Sequence, residues 1–232
     1  MRRAFATVLL FVSGLVLAQS PEERLFLAIE ESKPLVAEGL VARGRVDVNA
    51  KNADGETPLH RAVEKGMKEL AALLLKAGAR ASARSKTGET PLHLAALHAD
   101  PALAQMLLAA AADARARNDA GESPLHWAAM TGNPLTAQAL LERGADANVK
   151  DLKGNLPLHG AADAGQEEVV KLLASRTAEP GTKNRDGKTP TDVARERGHG
   201  ALAKLLEGAK PAAQGFQTYD VDDPRHPRFQ RQ

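Results

Sequence analysis

The sequence predicts an all-α fold, a solenoid of stacked helix–turn–helix units joined by short β-hairpin-like turns. The main observation is a glycine that recurs with a constant spacing of 33 residues, at Gly55, Gly88, Gly121, Gly154 and Gly187. The second observation is composition, because aromatic residues make up only 3% of the 232 residues while hydrophobic residues make up 43%. A core of Ala, Leu and Val side chains suits thin layers of helices that approach each other closely.

Each repeat contains start and stop signals for two helices. The first helix begins where a Thr or Ser precedes Pro, as at Thr57-Pro58, because the hydroxyl can cap the helix and Pro fits its first position. A glycine such as Gly66 then separates this helix from a Leu-rich second helix, which Gly78 ends. One such pair is too small to bury its own apolar face, so stacked neighbours must bury it.

The motif after each recurrent glycine is Thr-Pro-Leu-His or a close variant, at residues 57–60, 90–93, 123–126 and 156–159. The last copy reads Thr-Pro-Thr-Asp at residues 189–192. This motif and its period resemble the ankyrin repeat family over about residues 21–207. The resemblance implies an N-terminal capping repeat at 19–53, four full repeats at 54–86, 87–119, 120–152 and 153–185, and a C-terminal capping repeat at 186–207.

The two ends of the chain lie outside this pattern. Residues 1–18 combine two arginines, an apolar run and a final Ala18, which is typical of a secretory signal peptide that is cleaved after this alanine. A membrane anchor is the alternative, although the run is shorter than the roughly 20 residues that span a bilayer. Residues 208–232 are rich in Pro and polar side chains and are predicted to form a disordered tail.

Charge and composition exclude several classes of function. The formal net charge is +2, from 31 basic and 29 acidic residues, which excludes a nucleic-acid binder that acts by bulk charge. The chain has no cysteine, which excludes disulfides, thiolate metal sites and cysteine nucleophiles. We therefore expect no nucleic-acid partner, no membrane span once the signal is cleaved, and a monomer in the bacterial periplasm or outside the cell.

Four histidines recur in register and raise the question of a metal or catalytic site: His60, His93, His126 and His159. Packed helices lie about 8–10 Å apart, so equivalent histidines of adjacent repeats cannot share a metal that needs bonds of about 2 Å. The resemblance implies a framework role, in which each histidine forms hydrogen bonds near the turn and the helix start. No nucleophile elbow, HExxH motif or phosphate-binding loop is present, so we predict no catalytic, cofactor or metal site.

An apolar patch on the middle repeats is the favoured partner-binding site. In the ankyrin family, the turn tips and the first helix of each repeat line a concave contact surface. The second and third full repeats carry apolar residues there around the only tryptophan, while the outer repeats carry charged or small residues. We assign to this site Leu94, Leu97, His98, Trp127, Met130, Thr131, Glu89 and Glu122. Leu94 and Trp127 could instead fill the seam between repeats.

A row of cations offers an alternative site. Lys51, Arg84, Arg117, Lys150 and Lys183 occupy one repeat position, so stacking places them in a line along the turns. Such a line could bind an anionic polymer, although basic residues are also ordinary at this position of the family. The favoured function is that of a non-catalytic scaffold that binds another protein, as an inhibitor, an immunity-type partner or an assembly scaffold. The alternatives are an anionic-polymer binder, an enzyme with an unrecognised site and a purely structural envelope protein.

Overall fold

The computed structural model describes residues 20–177 and 179–209, and within these ranges it contains twelve α-helices and no β-strand. The helices come in antiparallel pairs, one pair for each predicted repeat or cap. They are α1 (Pro21–Glu30), α2 (Pro34–Ala42), α3 (Pro58–Glu64), α4 (Lys68–Lys76), α5 (Pro91–Ala95), α6 (Ala102–Ala109), α7 (Pro124–Thr131), α8 (Pro134–Glu142), α9 (Pro157–Asp163), α10 (Glu167–Ala174), α11 (Pro190–Glu196) and α12 (Gly200–Glu207). This confirms the all-α solenoid.

The helices form two layers. The first helices of the units, α1, α3, α5, α7, α9 and α11, pack side by side, and each packs on the second helix of its own unit. The second helices α2, α4, α6, α8, α10 and α12 form the other layer. Between the layers lies one continuous core of Leu, Ala and Val side chains, which includes the fully buried Leu59, Leu92, Leu125 and Leu158. These four leucines are equivalent and 33 residues apart, so each repeat adds the same contact to the stack.

Hydrogen bonds join the turns of neighbouring repeats, although the turns form no strand within the described residues. The backbone N–H of Lys86, where the chain enters the turn of the next repeat, donates to the carbonyl of Asp54, and the equivalent bond recurs from Asp119, Leu152 and Arg185. Gly55 lies at this junction with a positive φ of 74°, and a Cβ atom there would lie 2.9 Å from the Lys86 nitrogen. The recurrent glycine is thus required both by its backbone conformation and by the close approach of the next repeat.

A capping box begins the first helix of the first three full repeats, whereas in the fourth the N-cap residue is Leu156, which has no hydroxyl. In α3, the backbone N–H of Thr57 donates to Nδ1 of His60 at 3.1 Å, and the Thr57 hydroxyl lies 2.9 Å from the same nitrogen. A backbone N–H can only donate, so Nδ1 accepts and the ring proton is on Nε2. The Nε2 atom lies 3.2 Å from the carbonyl oxygen of Glu89 and donates to it. The histidine therefore connects its own helix start to the turn of the next repeat.

The two predicted terminal segments cannot be compared with the structure. The signal peptide at 1–18 lies outside the described residues, and so does the tail apart from Gly208 and Ala209. Within the described ranges, no helix is long and apolar enough to cross a membrane.

Candidate functional site

The candidate site lies on the exposed side of α3, α5, α7, α9 and α11, which we call the first-helix face. Equivalent positions of the five units lie in rows across this face because the helices pack side by side. One row contains Arg61, Leu94, Trp127, Gly160 and Val193. The chemical character of the row therefore changes from charged at one end to apolar in the middle, and one position has no side chain.

Two apolar side chains of the predicted patch are exposed. Leu97 lies just after α5 with 45% of its surface exposed, and Met130 lies at the equivalent position of α7 with 51% exposed. Leu94, by contrast, is only 8% exposed, so it belongs to the core between the repeats and offers almost no contact area. The exposed apolar surface of the predicted patch therefore consists of Leu97, Met130 and part of Trp127, without Leu94.

Trp127 is half-buried and held in one orientation by two neighbours. Its indole Nε1 donates to Oε2 of Glu122 at 2.9 Å. Its ring lies in a T-shaped contact with the His93 ring, with a centroid distance of 5.4 Å and an interplanar angle of 74°. These contacts leave part of the indole on the first-helix face and position the Glu122 carboxylate beside it.

Two other residues of the predicted patch connect repeats. The Nε2 atom of His98 lies 2.7 Å from the carbonyl oxygen of Val63 in the preceding repeat and donates to it. The hydroxyl of Thr131 donates to the carbonyl of Ala96, also in the preceding repeat, at 2.9 Å. The Nε2 atom of His98 and the hydroxyl of Thr131 are thus engaged within the chain, which favours a structural role for these side chains over recognition.

Two half-buried carboxylates lie along the same face. Glu122 accepts hydrogen bonds from Asn118 and Trp127, and within residues 20–177 and 179–209 neither Glu89 nor Glu122 has a cationic partner within 4.0 Å. Burial raises the pKa of the Glu89 carboxyl above its ordinary value, and the nearby carboxylates of Glu56 and Glu122 raise it further. A cation from outside the chain would relieve this repulsion.

The four recurrent histidines are buried framework residues. Each accepts an N–H at Nδ1 and lies with Nε2 within 3.2 Å of a carbonyl oxygen of the next unit. Burial lowers the pKa of all four, and it lowers the pKa of His93 to about 4. In the described part of the chain, no group of three or more His, Cys, Asp or Glu side chains could hold a metal ion.

The first three cations of the predicted row donate hydrogen bonds to backbone carbonyls of the next position in the row. Lys51 Nζ donates to the carbonyl of Arg84 at 2.9 Å, and Arg84 donates to the carbonyl of Arg117 at 2.7 Å. Arg117 in turn donates to the carbonyl of Lys150 at 2.6 Å. Lys150 and Lys183 are exposed, and neither has an ion pair among the described residues. The row therefore acts partly as a series of bonds between repeats.

A cleft of about 630 Å³ opens on the first-helix face at Gly160, and we call it the Gly160 cleft. Trp127 and Met130 of α7 line one side, and Val193 and Arg197 line the other. At Gly160 itself, an added Cβ would lie 3.8 Å from the His126 carbonyl and 4.0 Å from Met130, which is ordinary contact. Helix α9 therefore packs closely on α7 at this position, and Gly160 adds no side chain to the cleft.

The Gly160 cleft was not predicted from the sequence. Gly160 and Asp163 stood out only as small or charged neighbours of the apolar patch, at positions where the middle repeats carry Trp127 and Met130. The signal that could have revealed the cleft is a glycine at a row position that carries a large side chain in the adjacent repeats. The acidic lining of the cleft could not be predicted from one set of equivalent repeat positions, because the lining residues come from three units.

Comparison with known proteins identifies the repeats of this chain. A family model described as "Ankyrin repeats (3 copies)" matches residues 25–118, 100–184 and 125–214. A 61-residue segment is 41% identical to the nuclear factor NF-kappa-B p105 subunit of Gallus gallus. This segment is 26% of the present chain and 6% of that protein, so the similarity covers a small part of each.

Proposed function

Because the chain belongs to the ankyrin repeat family, whose repeats generally mediate protein–protein binding, we propose that it is a non-catalytic scaffold that binds another protein. The binding surface in this proposal is the first-helix face of the second and third full repeats. The proposed setting is the bacterial envelope or the outside of the cell.

The observation that carries this proposal is the exposed pair Leu97 and Met130 beside the half-buried Trp127. Protein interfaces are enriched in Trp and Met at their centre and in polar groups at their rim. Here Glu89 and Glu122 stand at the edge of the apolar patch without a cationic partner among the described residues. A partner that brings apolar side chains and positive charge would match both features.

The test is affinity capture from the native envelope fraction with the wild-type chain and with the double variant Leu97→Asp, Met130→Asp. The double variant should lose a stoichiometric partner that the wild type retains, because two carboxylates would be buried in the interface. A matched control is Leu135→Asp, since Leu135 is 57% exposed on α8, in the other helix layer. This control should capture the partner normally, and all three proteins should have similar melting temperatures. Undiminished capture by the double variant would contradict the proposed surface.

We also propose that the chain is exported and that residues 1–18 are removed. The support is the sequence pattern of two arginines, an apolar run and Ala18 at the cleavage position. Intact mass measurement of protein from the native compartment should then give a chain that begins at Gln19. A retained N-terminus in the membrane fraction would contradict export by cleavage and favour an anchor.

A further inference from the structure

We propose that the Gly160 cleft receives an arginine-bearing segment of the protein partner, an inference that rests on the proposed binding function. The cleft lies beside the apolar patch and shares Trp127 and Met130 with it. A partner on the patch would therefore extend naturally into the cleft. Its volume of about 630 Å³ lies within the usual range of binding pockets, roughly 300–1,000 Å³.

The charge of the cleft favours a cation. Its lining contains five carboxylates and three basic side chains. Two of the basic side chains already have partners in the lining: Arg197 Nε lies 2.7 Å from Asp163 Oδ1, and Lys188 Nζ lies 2.6 Å from Glu196 Oε2. Lys153 thus remains as the one lining cation outside these pairs, against three remaining carboxylates, those of Glu122, Asp151 and Asp186. A cationic group from the partner would be electrostatically complementary to this excess.

The walls favour arginine over lysine. Trp127 places an indole ring on one wall, and its bond to Glu122 places a carboxylate next to that ring. A guanidinium group can stack on an aromatic face and donate parallel hydrogen bonds to a carboxylate, whereas an ammonium group is a compact, strongly hydrated charge. The apolar side chains of Met130 and Val193, on opposite sides of the cleft, can contact the aliphatic stem of the arginine or an adjacent apolar side chain.

The position of Gly160 provides a direct test of occupancy. A leucine there would extend from the floor into the cleft, while an alanine would add only one methyl group in ordinary contact with its neighbours. Both substitutions replace a glycine within α9 by a better helix former, so neither should weaken the fold. Gly160→Ala is therefore the matched control for Gly160→Leu.

The experiment uses a random linear peptide library displayed on phage and selected on the full chain. The selected peptides should be enriched in arginine next to apolar residues. One enriched peptide is then the probe, and its binding is followed by fluorescence of Trp127, the only tryptophan. Replacing its arginine by neutral citrulline, or using Gly160→Leu or Glu122→Gln protein, should weaken binding by about tenfold or more, while Gly160→Ala should bind nearly as the wild type.

Failure of this inference can be distinguished from failure of the proposed function. A library that yields no enriched peptide, or peptides without arginine, would overturn the arginine cleft. So would a probe that binds equally after citrulline replacement and to Gly160→Leu. If that probe still loses binding to Leu97→Asp, a residue outside the cleft lining, the proposed surface stands and only the cleft is refuted. A probe whose binding is unchanged by Gly160→Leu, Glu122→Gln and Leu97→Asp would contradict both the arginine cleft and the proposed binding surface.

Discussion

The Nε2 atom of His93 lies 3.1 Å from the carbonyl oxygen of Glu122, and the same ring makes a T-shaped contact with the indole of Trp127. One buried histidine thus contacts both the backbone of the next repeat and the aromatic residue of the candidate site. Since Nδ1 accepts the N–H of Thr90, the ring is neutral with its proton on Nε2. Protonation of Nδ1 would remove this acceptor and place a charge in the core.

The first prediction concerns pH. Burial lowers the pKa of His93 from 6.5 to about 4, so the unfolded chain binds more protons than the folded chain between these values. The free energy of unfolding should therefore fall as the pH falls from 6.5 toward 4, by about 3 kcal/mol from this residue. The other three framework histidines have the same direction of shift and should add to the loss. Urea denaturation at several pH values measures the free energy of unfolding, and a value that does not change between pH 6.5 and 4 would contradict this prediction.

The second prediction compares two glycines. Gly160→Ala should stabilise the chain by about 0.5–1 kcal/mol, because alanine is the better residue in a helix and its Cβ makes only ordinary contacts. Gly55→Ala should destabilise it by more than about 1 kcal/mol, because φ is +74° and the Cβ would lie 2.9 Å from the backbone nitrogen of Lys86. Thermal unfolding of both variants tests this, and equal effects would show that the junction at Gly55 can relax.

The third prediction concerns Trp127. Trp127→Ala should weaken binding of the protein partner by about 2 kcal/mol or more, as expected for a central interface tryptophan. The same change removes the contact with His93 and one of the two side-chain hydrogen bonds that Glu122 Oε2 accepts, so some stability should also be lost. Trp127→Phe is the control, because it keeps an aromatic ring but lacks the N–H. Isothermal titration with the captured partner measures both, and unchanged affinity for Trp127→Ala would place the interface elsewhere.

The fourth prediction concerns the row of cations. Arg117→Met should lower the free energy of unfolding by about 1 kcal/mol, because Arg117 donates to the carbonyl of Lys150 in the next repeat. Lys183→Met, at the equivalent exposed position, should have little effect on stability. If the row instead serves an anionic polymer, both variants should weaken binding to heparin, and wild-type binding should fall steeply with added salt. Heparin affinity that depends on Lys183 in this way would support the polymer-binding alternative.

The solenoid could be predicted in full from the sequence because its signals are local and repeated. A Thr-Pro pair starts a helix wherever it occurs, and a glycine with positive φ ends a turn in each copy. The 33-residue period then places equivalent residues in register across the stack. The framework role of the histidines was implied by the family resemblance, and in the structure His60 contacts its own helix start and the next turn.

Exposure and cleft shape were decided by the tertiary structure, because both depend on what the neighbouring unit places opposite a residue. Leu94 and Leu97 look alike in the sequence, yet one is 8% exposed and the other 45%. The sequence suggests that Arg117 is a free surface cation, but in the structure it donates a hydrogen bond to the carbonyl of Lys150 in the next repeat. Gly160 reads as a helix position without a side chain, and only the stacked structure shows that it lines a cleft together with Trp127 and Val193 of the neighbouring units. The sequence by itself determined which residues share a row, and the stacking of the rows decided which of them a partner can touch.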